Sequence, residues 1–450
     1  MRSRIAVLAL AWLVASPALA QTPTAPSAPP PAPAPLTPAT IVGRQITVEE
    51  AIAIALEGQP QIVARIAEYE AARFRVDQAL SPLLPQLSGT WTAARTQSSN
   101  VVERLDQRRN LSGIVSEPSW ATSTVARVSL SQLLFDFGKN FATVGSARKQ
   151  ADVSLEEVEL QRQVISLAVK ESYTNILFAQ RLIRVNQQAQ ERAELNLRSA
   201  RGFFDVGTRP KSDVTRAEVD VANARVDVIR ARNAERSARV ALNVAMGIPV
   251  DTNTQIVDNL AYQPATFDRV LLQAEALRQR PEYRQTRLFI ESADLQSRRA
   301  YLDFFPDITG GGFYGATRAD MNEIWELNLN LTWPLFDGGN RIARYRESRA
   351  NLDAARGRMR AQELEIAREV EQTLIAVEET QERIQAAQKA VEAAQENFRL
   401  AQGRFDAGVG TILELTDAQL ELTRAQNLEA QALADYRIAL ARLDRSVGRR

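Results

Sequence analysis

Any chemistry in this chain falls to carboxylates and guanidiniums. It has 54 Asp+Glu and 55 Lys+Arg in 450 residues, with no His and no Cys. Without His there is no Ser-His-Asp triad, no HExxH zinc site and no His-ligated haem. Without Cys there are no disulfides, thiolate nucleophiles or Cys-ligated metals. Acid pairs could still perform general acid–base catalysis, yet nothing in their spacing gathers two around a pocket. Gly310-x-Gly312-x-x-Gly315 matches a dinucleotide fingerprint by letter. It lies inside a strand pattern and opens no helix, so small residues in a strand explain it. No phosphate-loop Gly-Lys-Ser/Thr is present. The sequence points to no cofactor and to no enzyme, and the near-neutral charge gives no footprint for nucleic acid.

The elements that would position any site begin after an address. Arg2 and Arg4 precede an apolar run from Ile5 to Ala15, and Ala18-Leu19-Ala20 forms a small-residue cleavage site. Residues 1–20 therefore read as a secretory signal peptide. Residues 21–45 are a proline-rich, extended tether.

Proline is absent between Ser119 and Arg209 and again after Pro334, and glycine is sparse in the same tracts. Both residues are costly inside a helix, so these tracts predict long helices. Asn340 to Gln402 alone would make a rod of about 95 Å. Its seam is Ile384, Ala387, Val391, Ala394, Phe398, Ala401 and Phe405, at alternating spacings of three and four, the period of a coiled coil.

The chain also repeats itself. Gln59-Pro60-Gln61 and Leu84-Pro85 recur 221 positions on as Arg280-Pro281-Glu282 and Phe305-Pro306. Leu134-Phe135-Asp136-Phe137-Gly138 and Phe204-Asp205-Val206-Gly207-Thr208 recur 201 positions on, as Leu335-Phe336-Asp337-Gly338-Gly339 and Phe405-Asp406-Ala407-Gly408-Val409. The first copy thus carries twenty extra residues between Pro85 and Phe135, around the polar stretch Gln97–Asn110. The predicted organisation is repeat 1 over 46–250, a linker over 251–266 and repeat 2 over 267–450. Each copy reads helix, two strands, long helix, returning helix, with a turn at Gly207 or Gly408. A capping box, Thr47-Val48-Glu49-Glu50, opens the first helix.

Trp325 to Trp333 alternates strictly between apolar and polar residues; Ala126–Ser131 and Leu87–Thr92 alternate as well, while Ile308–Thr317 is Gly-rich and ambiguous. Beyond the signal peptide all four tryptophans, Trp91, Trp120, Trp325 and Trp333, lie in or beside these strands. Apolar faces flanked by aromatics are the pattern of a transmembrane β-barrel. Four strands cannot close one, and an open edge in lipid is costly, so several copies would have to share the barrel.

These pieces, in order and twice over, resemble the TolC-type outer-membrane efflux proteins, from Ile46 to the end of the chain. The supporting motifs are Ile46-Thr47-Val48-Glu49-Glu50-Ala51-Ile52, the Leu-Pro and Phe-Pro strand entries, the two Leu-Phe-Asp-x-Gly exits and the two Phe-Asp-x-Gly turns. The resemblance implies a mostly α fold with a small transmembrane β-barrel part: tandem helical hairpins forming an α-barrel below a homotrimeric twelve-stranded barrel in the outer-membrane lipid. It implies a passive conduit for efflux or type I protein secretion, met by a periplasmic adaptor and an inner-membrane pump, ABC or proton-driven. Val206, Gly207, Thr208, Ala407, Gly408 and Val409 then occupy the tips that dock the adaptor. Glu414 and Asp417 match the acids of the tunnel mouth, with Asp213 in the first copy. Their spacing of three sets Glu414 and Asp417 on one helix face, where a trimer would stack two rings of carboxylates favouring cations. Ordinary solvated helix acids remain the competing reading. The family's latch uses a Tyr and an Arg in the second copy; here Phe405 and Gly410 replace them, and Arg209 stands at the equivalent place in the first copy. Arg209 is either a gate partner of Asp213 or a free surface residue. A secreted coiled-coil structural or adhesive protein is the alternative, and it leaves the Trp-flanked strands without a purpose.

Overall fold

The computed structural model describes residues 44–106, 111–317 and 322–450. The expected signal peptide and most of the tether lie outside the described residues. The first helix, α1 (Val48–Gly58), starts on the expected capping box: Glu50 N–H donates to Thr47 Oγ1 and Glu50 Oε2 accepts from Thr47 N–H. Helix α2 (Pro60–Leu80) follows, with proline in its first turn where no N–H is needed. Strands β2 (Gln86–Asp106) and β3 (Leu111–Phe135) lead to α3 (Lys139–Asp205) and α4 (Lys211–Met246). The second half contains α5 (Arg269–Gln279), α6 (Pro281–Leu302), β5 (Asp307–Thr317), β6 (Asn322–Thr332), α7 (Asn340–Asp406) and α8 (Ile412–Val447). Two short strands, β1 (Gln45–Ile46) and β4 (Gln255–Ile256), pair in parallel and join the start of the first half to the linker.

The halves match in length. Helices α3 and α7 have 67 residues each, about 100 Å, and α4 and α8 have 36 each. The helices lie side by side as a ribbon. Its order is α2–α3–α6–α7 near the strands and α4–α3–α8–α7 toward the turns. Coiled-coil burial is as the spacing predicts: Ile384, Ala387, Phe398, Ala401 and Phe405 are buried, while Val391 and Ala394 are half-buried. Two buried tyrosines fix the linker to the ribbon. Tyr173 donates to the carbonyls of Ile46 and Val257 at 3.1 and 2.9 Å, and Tyr436 donates to that of Gln263 at 2.8 Å.

The four longer strands form one antiparallel sheet, β2-β3-β5-β6, with β2 and β6 at open edges. The ambiguous Gly-rich segment is strand β5. A Cβ on Gly315 would stand 2.3 Å from the Ala126 carbonyl oxygen, and one on Gly312 2.6 Å from that of Glu326. Close backbone approach explains the glycines, and the dinucleotide-like pattern opens no helix.

Register sorts the sheet into two faces. Leu87, Trp91, Val128, Leu130, Tyr314, Trp325, Leu327, Leu329 and Leu331 share one face, all exposed. Thr90, Thr92, Arg127, Ser129, Glu326, Asn328 and Asn330 share the other. All four tryptophans lie in or beside the strands as expected: Trp91 in the first third of β2, Trp120 near the middle of β3, Trp325 in β6 and Trp333 just past its end. The eleven residues of β5 and β6 are the length a tilted strand needs to span a bilayer. The twenty extra residues of the first copy lengthen its hairpin. The pair Thr96↔Ala121 corresponds to Thr317↔Asn322, the last of the second hairpin, and β2–β3 pairing continues to Asp106↔Leu111.

The Leu-Phe-Asp-x-Gly exits turn strand into helix. Asp136 accepts from the N–H groups of Gly138 (2.9 Å) and Asn140 (2.7 Å), satisfying the start of α3, and Asp337 accepts from Arg341 N–H (3.0 Å) at the start of α7. Gly138 and Gly339, both left-handed, precede these helices.

Candidate functional site

The two helical hairpins end side by side. Helix α3 ends on a left-handed Gly207, with Thr208 N–H bonded back to the Phe203 carbonyl; α7 ends on a left-handed Gly408, with Val409 N–H bonded back to that of Arg404. Each closes the helix C-terminus in the same way, which is what the repeated Phe-Asp-x-Gly encodes. Val206 and Val409 are both 72% exposed, so each tip presents an apolar side chain outward. The return helices start differently. Thr411 caps α8 by accepting from Glu414 N–H (3.2 Å), whereas Pro210 precedes α4 and offers no side-chain cap.

Arg209 joins the tips. Its Nη2 donates to the Gly410 carbonyl oxygen at 2.5 Å, its Nη1 lies 3.6 Å from Asp213 Oδ2, and its guanidinium sits 4.6 Å from the centroid of the Phe405 ring. Phe405 is fully buried and meets Phe203 edge-on at 5.7 Å. The Arg209 and Asp213 side chains are only 13% and 15% exposed, so Arg209 is no free surface residue. A planar guanidinium suits this place because it stacks and donates at once. Arg209, Asp213, Phe405 and Gly410 therefore form one cluster spanning both copies.

The two acids expected at the mouth, Glu414 and Asp417, sit outside this cluster. Glu414 and Asp417 both point outward from α8, but Glu414 pairs with Arg404 at 3.2 Å while Asp417 has no ion-pair partner among the described residues. Part of the expected carboxylate field is thus neutralised within the same hairpin.

Sequence reasoning missed Arg404, Asp220 and Arg192. Asp220 Oδ2 accepts from Thr416 Oγ1 across the hairpins at 3.0 Å. One turn after another above the tip, Asn196 donates to Gln419 (2.7 Å) and Gln419 to the Ala189 carbonyl (3.0 Å). Arg192 lies 5.9 Å from the Phe398 ring centroid, and burial pushes its guanidinium below its ordinary range. The only available signal was that Asp220 follows Asp213 by seven residues, two helical turns along one face. Among the described residues no cluster of three acids could hold a metal.

The chain is thus a ribbon of paired helical hairpins capped by a two-faced four-stranded sheet, the fold of the outer-membrane channel class. The sequence profile of the outer membrane efflux proteins matches residues 51–248 and 272–449, and the chain belongs to that family. It is 26% identical over 409 residues to the alkaline protease secretion protein AprF of Pseudomonas aeruginosa, covering 87% of this chain and 82% of that one. It is 22% identical to the outer membrane protein TolC of Vibrio cholerae, covering 88% and 89%. Among solved structures it superposes on the outer-membrane channel OprN with a TM-score of 0.75 at 20% identity, covering 89% of both chains. The family places the protein in the outer membrane, with the helical ribbon in the periplasm.

Proposed function

We propose that three copies of this chain close one twelve-stranded barrel and one helical tunnel, forming the outer-membrane conduit of a tripartite exporter. The observation that carries this reading is the sheet: two unpaired edges, one continuous exposed apolar face and one polar face, in strands of bilayer-spanning length. An edge left open in lipid would leave backbone groups unpaired at several kcal/mol each, so closure must come from further copies. The protein is a passive channel rather than an enzyme. A periplasmic adaptor docks at Val206, Gly207, Thr208, Ala407, Gly408 and Val409, and an inner-membrane pump supplies cargo and energy. The likeness to a protease-secretion protein supports type I secretion, and the likeness to an efflux-family profile supports small-molecule export; a neighbouring gene for an ABC or a proton-driven pump separates the two.

The resting conduit is narrowed where Arg209 clasps the second hairpin, and opening requires α7 and α8 to move away from that clasp. Asp213, Glu414 and Asp417 give the mouth its cation preference, with Asp417 the strongest contributor because Arg404 does not cover it. Glu414→Ala combined with Asp417→Ala is expected to lower cation selectivity and weaken block by multivalent cations in planar bilayers. Unchanged selectivity in the double variant would remove both residues from the pore.

A further inference from the structure

Near the sheet, α6 lies between α3 and α7. One side of the ribbon there holds a groove of two adjoining cavities, about 520 and 750 Å³, within the range of small-molecule sites. Hydrogen bonds between α3 and α6 close its floor: the Ser146 and Ser292 hydroxyls are 2.9 Å apart, and Gln296 Nε2 donates to Ser146 Oγ at 3.2 Å. Three guanidiniums line it, Arg299 and Arg344 in the cavity nearer the sheet and Arg358 in the other. None of the three has an ion-pair partner among the described residues. The acids of the groove are Asp303 and Glu365, and Glu365 is already paired with Arg368. Asp303 is thus left alone against three cations. Phe289 exposes its ring in the second cavity, beside Ala293 and Ala355.

The scaffold does not require these residues. At the repeat offsets of 221 for α6 and 201 for α7, Arg299, Arg344, Arg358 and Phe289 correspond to Gln78, Thr143, Glu157 and Glu68. The first half packs the equivalent helices, α2 and α3, with no guanidinium and no ring at those four places. Two acids and two neutral residues in one half therefore stand where the other has three cations and an aromatic. Unpaired guanidiniums facing a cavity suit an oxyanion, because their planar fork matches carboxylate and phosphate.

The groove lies on the side of the ribbon that continues the polar face of the sheet. Lys139, Thr143, Ser146 and Gln150 follow one another along one side of α3, and the last three line the groove. Lys139 Nζ donates to Asp307 Oδ1 at 2.9 Å. Asp307 precedes Ile308, which pairs with Leu331 of the apolar face, so Asp307 belongs to the polar one. We infer that the groove binds an amphipathic anion, an aromatic or aliphatic body carrying a carboxylate or phosphate. Arg299 and Arg344 hold the oxyanion, and the body lies toward Phe289. The groove is complete in one chain; its opening onto the lumen rests on the conduit reading above.

The test titrates the full-length protein in lipid nanodiscs with naphthyl phosphate and reads binding from the naphthalene fluorescence. Saturable binding is expected, weakened about tenfold or more in the variant carrying both Arg299→Gln and Arg344→Gln. Naphthol, which keeps the ring without the charge, and inorganic phosphate, which keeps the charge without the ring, should each bind about tenfold more weakly or worse. Arg346→Gln with Arg349→Gln, on α7 but outside the groove, should leave binding unchanged. Binding that survives the groove variant, falls equally in the α7 control, or is matched by either fragment overturns the site. In planar bilayers naphthyl phosphate should reduce the wild-type current and spare the Arg299/Arg344 variant. Binding with no effect on that current overturns the groove's place in the lumen. Binding by a protein that conducts nothing overturns the conduit and leaves the groove standing.

Discussion

The two halves share a backbone and differ at its joints. At the waist, both return helices end on a left-handed glycine pressed against the junction of two short helices. An ideal Cβ on Gly247 would lie 2.9 Å from Gln59 Cα, and one on Gly448 2.9 Å from the Gln279 carbonyl carbon. What surrounds that junction differs. In the first half a neutral Gln59 donates to the carbonyls of Val244 and Ala245. In the second, Arg280 stands in its place, 3% exposed, bonded to Glu282 (2.9 Å) and Glu369 (2.6 Å), with Arg445 reaching the same two carboxylates at 3.2 and 2.7 Å. Where strand passes into long helix, the first half holds Phe137 in the left-handed region, stacked on Phe305 at 5.2 Å, where the second has Gly338. At the tip the first half has Arg209 and the second Gly410, and these two equivalents touch each other. Duplication preserved the scaffold, while the side chains at its joints diverged into complementary parts.

Breaking the waist should separate the halves most sharply. Arg280→Ala leaves Glu282 and Glu369 short of a buried partner and is expected to cost about 3–5 kcal/mol, read as a fall in apparent melting temperature. Gln59→Ala orphans two carbonyls and is expected to cost about 1–3 kcal/mol. Equal losses would mean that the ionic joint is no stronger a constraint than the neutral one.

Gly448→Ala and Gly247→Ala test what the halves share. Each forces a left-handed alanine at ~1–2 kcal/mol and adds a backbone clash, so the two should destabilise alike. Gly207→Ala, with open space around its Cβ, should cost only the conformational part. A marked difference between Gly247→Ala and Gly448→Ala would break the symmetry argument.

Acid should act on the second half first. Burial opposes the Glu282 charge, but hydrogen bonds and the charges of Arg280 and Arg445 hold its carboxyl below the usual range. A carboxyl depressed on folding contributes stability above its unfolded pKa of about 4.3, and that contribution is lost as pH falls through the folded value. Melting of the wild type should therefore fall more steeply below about pH 4.3 than melting of Glu282→Gln. Parallel pH profiles would show that the network does not sense acid.

Much of this fold was legible because it is periodic. Helix lengths followed from missing Pro and Gly, the seam from threes and fours, and strand faces from alternation. Strand β5 was obscured because Gly312 and Gly315 answer to neighbouring carbonyls, a tertiary demand with no local period. The twenty extra residues lack alternation, so only pairing revealed them as a longer hairpin. The waist network was invisible for a different reason: Arg280 meets a residue 89 positions away, and Glu282 one 163 away. At the tip, turn glycines and acids could be placed, but the reach of Arg209 to Gly410, 201 positions on, depends on how two hairpins lie together.

The most direct test of a conduit narrowed at clasped tips is single-channel conductance of the reconstituted protein beside Arg209→Ala. Discrete, small, cation-preferring steps are expected from the wild type, and larger steps from the variant with little change in thermal stability. A stable oligomer that passes no current in either form, or two identical conductances, would contradict it.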